Sequence, residues 1–196
     1  HDRMSRRRGE TMVKRDLIRN VIFLSIVVII IACLRIFIFT PYRITAKDAN
    51  HFLQDKDVVI ANKNEAIKRD DFVLYEVKGK EHVGRVIGLG NDSVVYMDDV
   101  LYLNNKIKSE DYLTKAKEEY LAKATSTGYF THDFTIQTLT KSNANKIPAQ
   151  SYLILNDNRQ DMEDSRMFGL ITEKQIKGVI SFRVLPLNQF GFIKTK

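Results

Sequence analysis

The sequence predicts a mainly β domain with a short helical insertion, preceded by a single N-terminal transmembrane helix. Three observations predict it: an apolar run at 21–39, a series of Val/Ile/Phe/Tyr-rich segments divided by polar or glycine-containing turns between 57 and 187, and one stretch at 109–124 with helical spacing. The 196 residues are 44% hydrophobic and 10% aromatic, enough for one ordinary core plus an anchor, which excludes a disordered chain.

The run VIFLSIVVIIIACLRIFIF, residues 21–39, holds one charge, Arg35, and one serine, Ser25. At about 1.5 Å per residue it spans roughly 28 Å, close to the hydrocarbon thickness of a bilayer, whereas a core strand is far shorter. A midplane arginine costs about 2.5–3.5 kcal/mol, but Arg35 lies near the end of the run and can snorkel to the headgroups. A cleaved signal peptide is the competing reading. The run is longer than an h-region and TPYRITAKD offers no small-x-small site, so an anchor is expected at 21–41 behind a basic tail at 1–20. Arg3, Arg6, Arg7, Arg8, Lys14, Arg15 and Arg19 precede the run, whereas only Arg43 and Lys47 follow closely. The positive-inside rule therefore predicts a single-pass protein of the cell membrane, N-terminus cytoplasmic, with residues 42–196 extracellular.

The same tail accounts for the charge. Of the formal +7, the first twenty residues carry +4 and Arg35 one more, leaving +2 for the remainder. With no basic stripe and no RNA-binding motif, no nucleic-acid partner is expected. The one cysteine, Cys33, lies in the apolar run, so no intrachain disulfide forms and a cysteine-rich zinc site is excluded.

Within 42–196, strands are expected at 57–63, 70–77, 81–90, 151–157 and 176–187, and a hairpin over 92–105 turning at Asp98-Asp99. SEDYLTKAKEEYLAKA, 109–124, places Tyr112, Ala116 and Tyr120, with Leu113 and Leu121, at helical spacing behind a Ser109 cap. Residues 106–150 as a whole read as a helix-and-loop excursion from the sheet.

Three stretches in order carry a resemblance to the type I signal peptidases, membrane-anchored serine proteases that cut signal peptides from exported proteins. FTPYRITAKDANHFLQDKDVV follows the anchor where that family has its nucleophile turn. DDFVLYEV and EHVGRVIGLGND resemble its paired strands. LNDNRQDMEDSRMFGLI resembles Gly-Asp-Asn-Arg-x-x-Ser-x-Asp-Ser-Arg-x-x-Gly. The last is the most specific, through Asp157, Asn158, Arg159, Asp164, Ser165, Arg166 and Gly169. The resemblance covers roughly residues 20–193. It implies an antiparallel, barrel-like β ectodomain in which the third motif is structural, Asp157 a turn residue and Asp164 with Arg166 a charge pair, and it implies no cofactor and no metal.

The departures fall at the chemistry. In the family a serine attacks the peptide and a desolvated lysine takes its proton. Here those positions are Asp48 and Gly84, the lysine-orienting hydroxyl is Met162, the small oxyanion-hole residue is Ala46, and Ala49, His51 and Phe52 replace Met, Pro and Thr in the turn. Loss of a nucleophile costs about 10⁶-fold in a well-studied serine protease. The expectation is a non-enzyme. Two rescues stand beside it: His82 as a substitute base on the face of Gly84, or Asp48, Asp157 and Asp164 as an acid pair or cation site. The plain alternative is that Asp48 is a solvated loop carboxylate.

An inactive frame would keep its peptide cleft, with Asp48, His82, Val83 and Gly84 as candidate partner contacts. Aspartate and glycine at the two catalytic positions resemble the signal-peptidase-like proteins encoded with streptococcal surface pili. That implies a membrane-anchored chaperone or assembly factor, with pilin subunits, the pilus sortase or both as partners. A residual or altered protease acting on a pilin or secreted precursor is the alternative, a subunit that recruits an active peptidase a third. A second copy could also fill the cleft, giving a homodimer.

Overall fold

In the computed structural model of the chain, residues 2–123, 125 and 128–196 are described, with side chains from Arg15 onward. The side chains of Arg3, Arg6, Arg7, Arg8 and Lys14, on which the expected orientation rests, lie outside the described residues. The chain divides into two units, His1–Phe39 and Thr40–Lys196.

The first unit is one helix, α1, Asp2–Phe37. Its segment Arg15–Phe37 has a mean hydropathy of 2.7 and is long and apolar enough to cross a membrane. Leu17, Phe23, Leu24, Ile29 and Phe37 are exposed, which distinguishes it from a core helix of a soluble protein. Arg35 falls in the last turn, where the helix dipole favours a cation. The helix stops at Phe37, two residues inside the apolar run. Pro41 follows, and a proline drives the residue before it out of helical geometry.

The second unit is built on strands β1 (Phe39–Arg43), β2 (Val58–Asn62), β3 (Phe72–Val77), β4 (Lys80–Gly88), β5 (Val94–Met97), β6 (Val100–Leu103) and β7 (Lys106–Lys108). A 3₁₀ turn, helix α2 (Thr114–Leu121), strand β8 (Phe134–Thr135), helix α3 (Ile136–Thr140), strand β9 (Ser151–Leu155) and helix α4 (Ser165–Phe168) follow. Strands β10 (Ile171–Thr172), β11 (Ile176–Leu185) and β12 (Gly191–Phe192) complete it. The main sheet runs β1-β2-β11-β3-β4-β9-β10, with β12 on β11, and a smaller sheet runs β7-β6-β5-β8. The pairings of known register are antiparallel. The mainly β expectation therefore holds, including its short helical part.

The residues chosen for strands bury in alternation. Val59 and Ala61 of β2 join Phe72, Leu74, Val83 and Ile180 in one core, and Val73, Tyr75, Val86, Ile154, Ile171 and Val179 form another from the remaining positions. A third core, with Val94, Tyr96, Leu101 and Leu153, joins the two sheets. The hairpin turns at Asp98-Asp99, both with positive φ of 52° and 63°. A two-residue turn of that shape ordinarily takes Asn-Gly. Here the Asp99 carboxylate accepts the amides of Phe130 at 2.8 Å and Thr131 at 2.6 Å, which fixes the strained turn to the following excursion.

Residues 106–150 are more than an excursion: β7 and β8 complete the second sheet. The helix expected at 109–124 is shorter. A 3₁₀ turn covers Asp111–Leu113 and α2 begins only at Thr114. Ser109 is not its cap, because its hydroxyl bonds the Asp111 carboxylate instead of the first-turn amides. Ala124, the expected end, lies outside the described residues. Tyr112, Leu113, Ala116 and Tyr120 do share one face, packed on Phe130, whereas Leu121 is exposed.

Candidate active site

The chain leaves β1 into a turn at Thr45–Asp48, closed by the Asp48 amide on the Thr45 carbonyl at 3.0 Å. The Asp48 carboxylate accepts from the Thr45 hydroxyl at 2.7 Å and the Tyr42 hydroxyl at 2.9 Å, both on Oδ2, while Oδ1 faces the Val83 amide at 3.4 Å. Burial first, and then Asp48, push the Tyr42 phenol above its usual range, so it stays a proton donor. Lys47 pairs with Glu163, which ties the turn to the loop after β9. Asn50 ends the turn by accepting the Phe52 and Leu53 amides. Ala46 is exposed and Ala49 half-buried against the first core.

Val83 and Gly84 lie on β4, whose residues 80–85 pair with β3 while β9 pairs only from Arg85 onward. On that side Lys80–Gly84 have no strand partner among the described residues; Lys80 and Glu81 are exposed, whereas His82, Val83 and Gly84 are buried, with Asp48 beside the Val83 amide. Gly84 is required by packing. A Cβ there would stand 2.5 Å from Ile154 Cγ2, 3.3 Å from the Leu155 carbonyl oxygen and 3.5 Å from Tyr75 Cε1. The space a side chain at this position would use is filled from β9 and β3, and only about 10 Å³ remains between Asp48, Phe72, Val83, Gly84 and Asn156.

His82 lies opposite Tyr75 across the β3–β4 pair, on the face of Gly84. Its ring stacks on Tyr75 at 5.5 Å and meets Phe168 at 4.9 Å. Burial lowers its pKa, with Lys47 adding in the same direction. A lowered folded value means the unfolded chain binds a proton the folded one resists. The neutral-His82 contribution is thus complete above about 6.5, the unfolded value, and is lost as pH falls below it. An NMR titration should place the His82 midpoint below about 6.5; a midpoint at or above it would contradict this packing.

Asp48, Asp157 and Asp164 do not form an acid pair, since two of them have arginines of their own. Arg85 and Asp157 form a bidentate bond at 2.7 Å through Nε and 2.7 Å through Nη2, with side-chain exposures of 0% and 4%. The Arg85 guanidinium lies over Phe72 at 4.2 Å and Tyr112 at 4.0 Å. Arg166 holds Asp164 at 2.6 Å, and Asp164 also caps α4 through the Arg166 amide and accepts the Asn156 amide. Ser165 accepts the buried Ile154 amide at 2.9 Å, which holds β9 against α4. Arg159 is fully buried on Tyr96 and Glu110, at 2.6 and 2.8 Å. Asn158 is exposed, its side chain accepting the Gln160 amide. These residues shape the loop beside the turn. Met162 instead lines a separate cavity with His132, Phe134 and Leu139. Among the described residues no group of three or more His, Cys, Asp or Glu could hold a metal.

Sequence reasoning missed Tyr42 and Thr45. The signal was present in Thr45-x-x-Asp48, the spacing of a side-chain-closed turn. It also missed Ile154 and Tyr75, for which one strand alone gives no sign.

Fold and site define a class: an apolar helix of membrane-spanning length leading into an antiparallel β domain, with a hydrogen-bonded carboxylate turn set beside the stretch of β4 that β9 does not pair. The family model for signal peptidase, peptidase S26, matches residues 17–185. Signal peptidase IB of Staphylococcus aureus (strain MRSA252) is 35% identical over 187 residues, 92% of this chain and 95% of that protein. Signal peptidase I of Bacillus caldolyticus is 35% identical over 172 residues, 85% and 91% of the two chains. The crystal structure of a signal peptidase I from Enterococcus faecalis V583 aligns with a TM-score of 0.53 at 34% identity, covering 59% of this chain and 97% of that one. The chain belongs to the signal peptidase S26 family, and its apolar helix fits a membrane anchor for such a domain.

This corrects the expectation of a non-enzyme. Relatives 35% identical over nine-tenths of the chain are named signal peptidases, an enzyme family, and no comparison shows degeneracy. The physical reason for the error is that two replaced side chains were equated with an absent centre. The turn instead presents an acceptor with two hydroxyl donors at 2.7 and 2.9 Å.

Proposed function

We propose that this chain is a membrane-bound peptidase of altered centre, which processes an exported precursor held along the side of β4 that β9 leaves unpaired. The observation that carries this reading is the Asp48 carboxylate, fixed by Thr45 and Tyr42 beside the Val83 amide in a chain matched over 92% of its length by a signal peptidase. An extended peptide adds to such an edge through backbone bonds, which brings its carbonyls past the turn. Asp48 can accept a proton from water or from the Thr45 hydroxyl during attack on the peptide and return it to the leaving amine. Asp48 with Gly84 resembles the pair found in the proteins encoded with streptococcal pili, which favours a pilin precursor and a sortase as further partner over a general secreted substrate. The test is incubation of the full chain in lipid nanodiscs with a pilin precursor peptide spanning its signal-peptide end, read by mass spectrometry. Two complementary fragments from one peptide bond are expected; an intact peptide at enzyme concentrations equal to substrate would sink the reading.

A further inference from the structure

Beside the Asp48 turn, between residues 49–51 and α2, lies a groove of about 380 Å³ that the chemistry above does not use. That volume is within the roughly 300–1,000 Å³ typical of ligand clefts. Its apolar wall is Tyr112, Leu113, Ala116, Tyr120 and Phe130. This wall is preformed: Leu113, Tyr120 and Phe130 are 4%, 8% and 3% exposed, and the Tyr120 and Phe130 rings meet at 5.6 Å. A rigid wall loses little freedom when a side chain lies against it.

Two further observations say what covers it. The groove shares Ala49, Asn50, Asp157 and Asn158 with the small space around Asp48 and Gly84, so it continues the path of a peptide on the β4 edge. Its ionic side chains also stand at the exposed rim: His51, Glu119 and Lys123 are exposed, His51 faces Glu119 at 3.6 Å, and Asp157 is taken up by Arg85. A charged side chain would find partners only at that solvated rim, where ion pairs contribute little, whereas an uncharged apolar one meets the aromatic wall.

We propose that this groove is a specificity pocket for one large uncharged apolar or aromatic side chain of the bound peptide. The inference rests on the β4 edge being the peptide site, and does not depend on cleavage.

Its test is a binding series with the full chain in nanodiscs. Short labelled peptides of alanine and serine carry a single phenylalanine, moved one position at a time, and affinity is read by fluorescence anisotropy. One position should bind about 10- to 100-fold tighter than the rest, the effect of burying one phenyl ring. Lysine or glutamate at that position should remove the gain. Ala116→Trp, which fills the groove one turn from both Tyr112 and Tyr120, should bring the best peptide down to the others with the melting midpoint unchanged. Should that variant fail to fold, Glu119→Trp at the rim gives the same readout. Equal affinity at every position, a gain that survives both tryptophan variants, or no binding by any peptide overturns the inference. Preference without cleavage would overturn the peptidase reading alone; cleavage without preference would overturn this one alone.

Discussion

Arg85→Met is expected to lower the stability of the β domain by about 3–5 kcal/mol, the usual effect of removing one partner of a buried ion pair. For a domain of this size that is a fall of roughly 6–20 °C in melting midpoint. Arg85 is fully buried and Asp157 nearly so. The variant leaves a carboxylate in the interior with neither of its 2.7 Å donors. It also strips the guanidinium from between Phe72 and Tyr112, and frees the Asp70 carbonyl that Arg85 binds at 3.0 Å. Arg85→Met with Asp157→Leu should recover much of the loss, because an apolar pair of similar volume restores packing without an orphaned charge. Thermal melts of the full chain and both variants check this. A single-variant loss under about 1 kcal/mol would show that the pair is solvated, as exposed pairs are.

Gly84→Ala is the second large effect, and it acts by overfilling. The added methyl stands 2.5 Å from Ile154 Cγ2, on a side chain that is itself fully buried. Forcing a methyl into a close-packed core costs about 1–3 kcal/mol. Ile154→Ala removes the opposing atom, so the two changes should be non-additive by about 0.5–3 kcal/mol in the stabilising direction. Denaturant melts of the four proteins in the cycle give the coupling directly. A neutral Gly84→Ala would mean that β9 yields more readily than its packing shows. The same contact means Gly84→Lys cannot rebuild a lysine centre while Ile154 remains.

Much of the fold was legible because it rests on local pattern. The apolar run, the β-branched segments and the helical spacing of Tyr112, Ala116 and Tyr120 each follow from which side chains must face a core. The motif from Asp157 to Gly169 carried the family. What could not be read were relations between distant segments: Arg85 with Asp157, Ile154 filling the space at Gly84, and the Val83 amide facing Asp48. Local competition misled in one place, where Ser109 bonded a neighbouring carboxylate instead of capping a helix. The larger error was functional. One residue at a time Asp48 and Gly84 look like losses, whereas the turn is a set in which Tyr42 and Thr45 give the carboxylate a defined position.

The proposed peptidase reading makes Asp48 the working group. Asp48→Asn keeps the size and an oxygen acceptor for Thr45 and Tyr42 but removes the proton-accepting carboxylate. The most direct measurement is the rate of precursor-peptide cleavage by the full chain and by Asp48→Asn, both in nanodiscs and with melting midpoints compared. The account predicts a measurable wild-type rate and a loss of about 10²- to 10⁴-fold in the variant at unchanged stability; equal rates in the two proteins would contradict it.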